Sequence, residues 1–336
     1  TARFSTTSHD PLPRLLASDE TLTRMDINHR HLREWSSALP IEDIMVEIAR
    51  QPSLKTLCFE MENVAMSNYD VLLECVGHMQ SLEELLLENA KVNRHTANAI
   101  AAALFRNPNS LKELTLKTCT FAGSGFAIMF LGVQHVPSLT HLSIEDCSLQ
   151  GFASEILSAT VPFLKNLKSL RLVNTKLPAD GLRYLCDNLN RSATLVELDL
   201  SQNEFDVQSI SWLVGSLHSP DTIIEKLTLN KCRLDAPCVE ILSRGLAEDS
   251  TLLSLSLCYN TFGDAGAKCL VKMLKTNHNL QTLSLKGCEI SKKLLKQLHN
   301  GIRYNNSFLK NVFSSEVSLA ILDSFSMVDK VPETFG

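Results

Sequence analysis

The sequence predicts an α/β chain folded as a right-handed curved solenoid. The expected shape is a horseshoe of 28–29-residue strand–turn–helix units, with a parallel sheet on the concave side and helices on the convex side. Three observations carry this. A short apolar motif recurs nine times at a nearly fixed step. The residues between copies have helical apolar spacing. The 336-residue chain is 44% hydrophobic but only 6% aromatic, so its core is built from Leu, Ile, Val and Ala. One such unit cannot bury its apolar face alone, so neighbours must stack.

Residues 1–10 form an N-terminal segment, beginning "TARFSTTSH", with Arg, Ser and Thr and no acid before Asp10. Two readings stay open: the remnant of a mitochondrial targeting peptide, or an ordinary flexible tail. Residues 11–50 are expected to cap the array. They include a degenerate copy of the motif, "LTRMDINHRHL" from Leu22, and "LPIEDIMVEIARQ". In the latter, Pro40 suits a helix start and Ile41, Ile44, Met45 and Ile48 share a face.

Residues 51–304 are the array proper. The copies begin at Leu54, Leu82, Leu111, Leu139, Leu167, Leu195, Ile224, Leu252 and Leu280, steps of 28 or 29 residues. Examples are "LKELTLKTCTF", "LVELDLSQNEF" and "LQTLSLKGCEI". All follow L-x-x-L-x-L-x-x-(N/C/T)-x-L, with Glu62 and Ala90 the poor fits at the ninth position. The alternating apolar residues turn one side of a short strand inward. A small ninth residue sits inside the bend, where an Asn amide can satisfy loop backbone groups. The following stretches are amphipathic: Leu182, Leu185 and Leu189 share one helical face, as do Ala267, Leu270, Val271 and Leu274. Residues 305–336 are expected to be a C-terminal cap and tail, with Phe308, Leu309, Val312 and Phe313 covering Leu283 and Leu285.

This pattern resembles the leucine-rich repeat superfamily, and within it the ribonuclease-inhibitor-like class, over roughly residues 20–310. The resemblance implies a full helix on the convex side of each repeat and a role in binding proteins. From Leu195 onward the ninth position reads Asn203, Cys232, Asn260, Cys288, which looks like the alternation of ribonuclease inhibitors. Upstream it reads Cys119, Cys147, Thr175, so the inhibitor function is not carried across.

The formal net charge is -5, which speaks against a bulk nucleic-acid binder. No apolar run is long enough to span a membrane. Ten scattered cysteines without a C-x-x-C suit buried thiols in a reducing compartment. The expected location is therefore intracellular, the cytoplasm in preference to the mitochondrial matrix.

Candidate chemistry is sparse, and no enzyme, cofactor or metal site is expected. His29 and His31 would share a face in a strand, but no cluster completes a zinc set. Cys258 is placed at the concave surface, with His278 and Lys286 its neighbours by sequence alone. "GDAG", Gly263–Gly266, reads as a turn into a helix, with Asp264 favouring the helix N-terminus.

The concave face is the expected functional surface. Acids dominate its first half, at Glu60, Glu84, Glu88, Glu113 and Glu145. The centre mixes Arg171, Glu197, Asp199 and Lys226, and the last third is small and nearly neutral, with Cys258. Either a protein partner with a basic edge lies along the first half, or these are solvated charges. No aromatic row lines this face, so the strongest contacts could instead use loops, the helical face (Trp212, Tyr69) or the termini. The leading expectation is a non-catalytic interaction module, a subunit, scaffold or adaptor. The alternatives are a GTPase-activating protein resembling activators of the small GTPase Ran, or an enzyme inhibitor.

Overall fold

The computed structural model describes residues 19–312 apart from 38, 65, 107, 108 and 250, with side chains left out at 66–70 and 308–312. The expected contacts of Phe308, Leu309, Val312 and Phe313, the side chain of Tyr69 and the N-terminal segment lie outside the described part.

Ten strands form one parallel sheet in chain order. They are β1 (Arg24–Ile27), β2 (Thr56–Glu60), β3 (Glu84–Glu88), β5 (Glu113–Lys117), β7 (His141–Glu145), β8 (Ser169–Val173), β9 (Glu197–Asp199), β10 (Lys226–Thr228), β11 (Ser254–Ser256) and β12 (Thr282–Ser284). Two short segments, β4 (Lys91–Val92) and β6 (Thr120–Phe121), pair separately. Between them run α1 (His29–Ser36), α2 (Ile41–Arg50), α3 (Met66–His78), α4 (Arg94–Arg106), α5 (Gly125–Val133), α6 (Phe152–Thr160), α7 (Ala179–Leu189), α8 (Val207–Leu217), α9 (Ala236–Leu246), α10 (Gly263–Met273) and α11 (Lys292–Val312). The chain is a curved α/β solenoid, as the repeat predicts.

Register follows the motif. The fourth residues of successive copies pair strand to strand: Leu57 with Leu85, Leu85 with Leu114, and so on to Leu255 with Leu283. Each is nearly or fully buried. The degenerate copy at Leu22 also forms a strand, β1, with Leu22, Met25 and Ile27 buried. Helical faces fall where periodicity places them: Ile41, Ile44, Met45 and Ile48 are buried in α2, and Leu182, Leu185 and Leu189 in α7. In and beside α10, Ala267, Leu270 and Leu274 are buried, while Val271 is partly so. Burying a Leu side chain contributes about 2 kcal/mol, and here each leucine touches the repeats before and after it.

Where strands end, polar side chains take over. Asn203, almost fully buried, accepts from the Thr175 and Leu177 amides (3.1 and 3.0 Å) and donates to the Leu172 and Leu200 carbonyls (2.7 and 2.9 Å). Asn260 does the same for Cys232, Leu234, Leu229 and Leu257. At Cys positions the thiol donates to a carbonyl of the preceding repeat, as Cys288 does to Leu257 (3.0 Å). The preceding residue in each bend is left-handed in repeat after repeat: Asn89, Thr118, Asp146, Asn174, Gln202, Lys231, Tyr259 and Gly287 all have φ between 52° and 72°.

One local expectation is corrected and another is extended. His29 and His31 lie in the first turn of α1, capped by Asn28, and not in a strand, so their i, i+2 spacing does not put them on one face. Asp264 lies in the first turn of its helix, where its charge favours the N-terminus as expected, and it has a second role. Its carboxylate accepts from the Ser291 amide of the next repeat (2.7 Å), tying α10 to the start of α11.

Candidate interaction face

The inner surface of the sheet carries three rows of side chains, one per outward-facing strand position. Because strands pair in register, residues 28 or 29 apart in the sequence become lateral neighbours. That geometry decides which charges are free.

The first row runs Arg24, Thr56, Glu84, Glu113, His141, Ser169, Glu197, Lys226. Glu84 is exposed and accepts from the Thr56 hydroxyl (2.9 Å). Glu113 has no side-chain partner among the described residues. Further along, Lys226 pairs with Glu197 (3.3 Å). In the third row Glu60 is likewise without a side-chain partner, whereas Glu88 is taken by Lys117 (2.7 Å). Arg171, in the middle row, reaches Glu145 (3.4 Å) and Asp199 (3.6 Å). The structure thus divides the expected acids. Glu88 and Glu145 are neutralised across repeats, and Glu60, Glu84 and Glu113 keep their charge facing outward on three adjacent strands.

The centre is a shallow recess of about 210 Å³, lined by Ser169, Arg171, Glu197, Asp199, Lys226 and Thr228. Its charges are paired with one another, so it presents a saturated surface. The middle row is also less open than the pattern implies. Ser143 is buried and donates to Glu145 (2.8 Å), and Cys58 is buried beneath Arg24, whose guanidinium lies 3.2 Å from its sulfur. Burial, with Asp26 beside it, pushes the Cys58 thiol up to about 12. Such a thiol stays protonated and unreactive at neutral pH. Burial does the same, to about 12, at Cys75, Cys186 and Cys232. Cys147 is pushed up by its hydrogen bond with Cys119 and by burial.

Cys258 is partly exposed at the end of β11, as expected. Its amide donates to Asn230 (2.7 Å), and the Ser256 hydroxyl lies 3.6 Å from its sulfur. The candidate base His278 packs edge-on against Tyr304 of α11, and Lys286 lies over the Tyr259 ring, 6.0 Å from its centroid. Among the described residues, no three His, Cys, Asp or Glu side chains converge to hold a metal ion. Trp212, a candidate contact on the helical face, packs partly against the core.

A row of charge along the rim escaped the sequence reading. Glu83 is gripped by Lys55 (2.8 Å) and Lys112 (2.6 Å), all three at the second position of consecutive copies. The two ammonium groups hold the Glu83 carboxyl down to about 2. The signal was present as Lys, Glu, Lys at a fixed step.

The fold and the turn ladder are those of a leucine-rich repeat protein of the ribonuclease-inhibitor-like class. The leucine-rich repeat family matches residues 248–271 and 276–293. The chain is 25% identical over 321 residues to human NACHT, LRR and PYD domains-containing protein 5, covering 93% of this chain and 26% of that protein. It is 26% identical over 298 residues to the ribonuclease inhibitor of Sus scrofa, covering 88% of this chain and 65% of the inhibitor. It therefore spans less than two thirds of the length of either relative. Among solved structures, the leucine-rich repeat-containing protein LegL7 from Legionella pneumophila superposes with a TM-score of 0.55 at 16% identity, covering 93% of this chain and 97% of that one. No helix of the described residues is long and apolar enough to cross a membrane.

Proposed function

We propose that this chain is a non-catalytic protein-binding module, a scaffold or adaptor that seats a basic segment of its partner along the first half of the concave face. The observation that carries this reading is the set of acids left unneutralised on β2, β3 and β5. Among the described residues Glu60 and Glu113 have no side-chain partner and Glu84 has only a hydroxyl, while neighbouring acids are matched by bases one repeat away. A fold that pairs Glu88, Glu145 and Glu197 leaves these three as a field for an incoming cation.

The test is titration of the full chain into a labelled Lys/Arg-rich peptide. Saturable, salt-sensitive binding is expected, weakened about tenfold or more in the triple variant E60Q/E84Q/E113Q, at roughly two- to fivefold per charge. Binding unchanged in that variant removes the basis for the proposal.

A second reading, enzyme inhibition, is favoured by the alignment with ribonuclease inhibitor along 88% of this chain. Stoichiometric inhibition of a pancreatic-type ribonuclease would support it. Full ribonuclease activity at a large excess of this chain would dismiss it.

A further inference from the structure

Near the C-terminal end of the array, a second patch of opposite character lies on the rim just beyond the strands. Lys231, Tyr259 and Gly287 occupy the eighth position of three successive copies. The backbone locks those bends together, the Lys231 amide donating to the Cys258 carbonyl and the Tyr259 amide to the Lys286 carbonyl. The Tyr259 ring is 46% exposed. Lys231 Nζ lies 5.7 Å from its centroid and Lys286 Nζ 6.0 Å. Both lysines are exposed, and neither forms an ion pair among the described residues. Of the acids on adjoining bends, Glu204 is occupied by Arg233 (2.9 Å) and Glu289 pairs with neither lysine. Beside them, Asn230 accepts from the Ser256 hydroxyl and the Cys258 amide (both 2.7 Å). With its oxygen doubly used, its side-chain NH2 is left as a donor.

The ring's position is costly. Tyr259 has φ 60°, a conformation that disfavours a bulky residue, and the other left-handed copies place Asn, Asp, Gln, Thr, Lys or Gly there, none of them aromatic. Gly287 makes room for it: a Cβ at that residue would fall 2.5 Å from Tyr259 Cδ1. The fold thus seats a bulky ring at a left-handed position and gives up a side chain in the next bend, yet leaves the residue about half exposed. Core packing does not explain that. A rigid aromatic flanked by two cations and an amide donor suits an anionic contact, with the Glu289 carboxylate on the adjoining bend setting its edge.

We propose that Lys231, Tyr259 and Lys286 form a receptor for an acidic segment of a protein partner, with carboxylates on the lysines and the segment's apolar part on the ring. The cations come from the repeats on either side of the ring, which suits two carboxylates of an extended chain better than one compact anion. The inference rests on this chain being a protein-binding module, but not on the acidic half being an interface.

The experiment is fluorescence anisotropy of a labelled peptide of alternating Glu and Gly, titrated with the full chain at low and physiological salt. Saturable binding that weakens with salt is expected. Lys231→Ala and Lys286→Ala should each weaken it about two- to fivefold and together about tenfold, and the double Lys→Arg variant should retain it. E60Q/E84Q/E113Q should leave it intact. The proposal is overturned by absence of saturable binding at low salt, or by binding indifferent to both lysine substitutions. It is also overturned if inorganic phosphate displaces the peptide with the same lysine dependence, which would make the patch a simple anion site. A chain that still binds the basic peptide but not the acidic one loses this inference alone.

Discussion

Replacing Asn203 by Ala should be among the most damaging single changes in the array. The side chain is almost fully buried and satisfies two amides and two carbonyls from two repeats. Alanine can replace none of those bonds. At about 1 kcal/mol net for each of four bonds, the loss is about 4 kcal/mol. Asn203→Cys is the informative control. Natural Cys positions in this ladder keep one donation to a carbonyl, as Cys232 does to Leu200 (3.4 Å), and can accept one amide, as Cys147 does from Cys119 (3.1 Å), so the cysteine variant should lose about half as much. Urea denaturation followed by circular dichroism gives the two values. Hydrogen exchange at the Thr175 and Leu177 amides tests the location, because those donors lose their acceptor. If N203A costs under about 1 kcal/mol, or costs the same as N203C, the ladder is not what holds the bends.

Two further outcomes follow from the bends and the rim. Thr118, a β-branched residue at φ 52°, should be replaceable by Gly with a gain of about 1 kcal/mol in the same assay, since the strain disappears. Glu83, with a folded value near 2 against an ordinary 4.5, stabilises the fold above the ordinary value, and that contribution is lost as pH falls through the folded one. Wild type and Glu83→Gln should therefore converge in stability between about pH 4.5 and pH 2 in acid titrations, and a constant difference across that window would contradict the pairing with Lys55 and Lys112.

The fold was legible because the same short pattern is written nine times, and stacking follows once one unit is understood. Leu57 through Leu283 needed no structure to place. The site was only partly legible. The acids of the concave face were visible, but a list by position does not show that a residue's true neighbour is 28 or 29 places away. Glu88 with Lys117 and Glu197 with Lys226 are such pairs, and together with Arg171 on Glu145 and Asp199 they reduce the field to Glu60, Glu84 and Glu113. Tyr259 was hidden differently. Its position is a bend, where the pattern specifies no residue, and only the exposed ring and the missing side chain of Gly287 mark it as special. A polar row before the motif leucine also went unread. Ser81, Ser138 and Thr194 each donate to the first-leucine carbonyl of the preceding copy, at 2.9, 2.6 and 2.8 Å. Their job is backbone satisfaction, which hydrophobic periodicity does not report.

The strands of the main sheet shorten along the chain, from five residues in β2, β3, β5, β7 and β8 to three in β9 to β12. At about 3.3 Å per residue, the pleated floor narrows from roughly 16 Å to roughly 10 Å. A partner would meet a broad, stiff platform at one end and a narrow track edged by turn residues at the other. On the broad end, backbone ladders fix every side chain's bearing, so a rigid element can dock there with little ordering. On the narrow end the outer row, Ser201, Asn230, Cys258 and Lys286, sits in bends whose hydrogen bonds run through side chains. An extended, pliable segment fits that contour better than a preformed one. The taper thus sorts occupants by stiffness along the same surface.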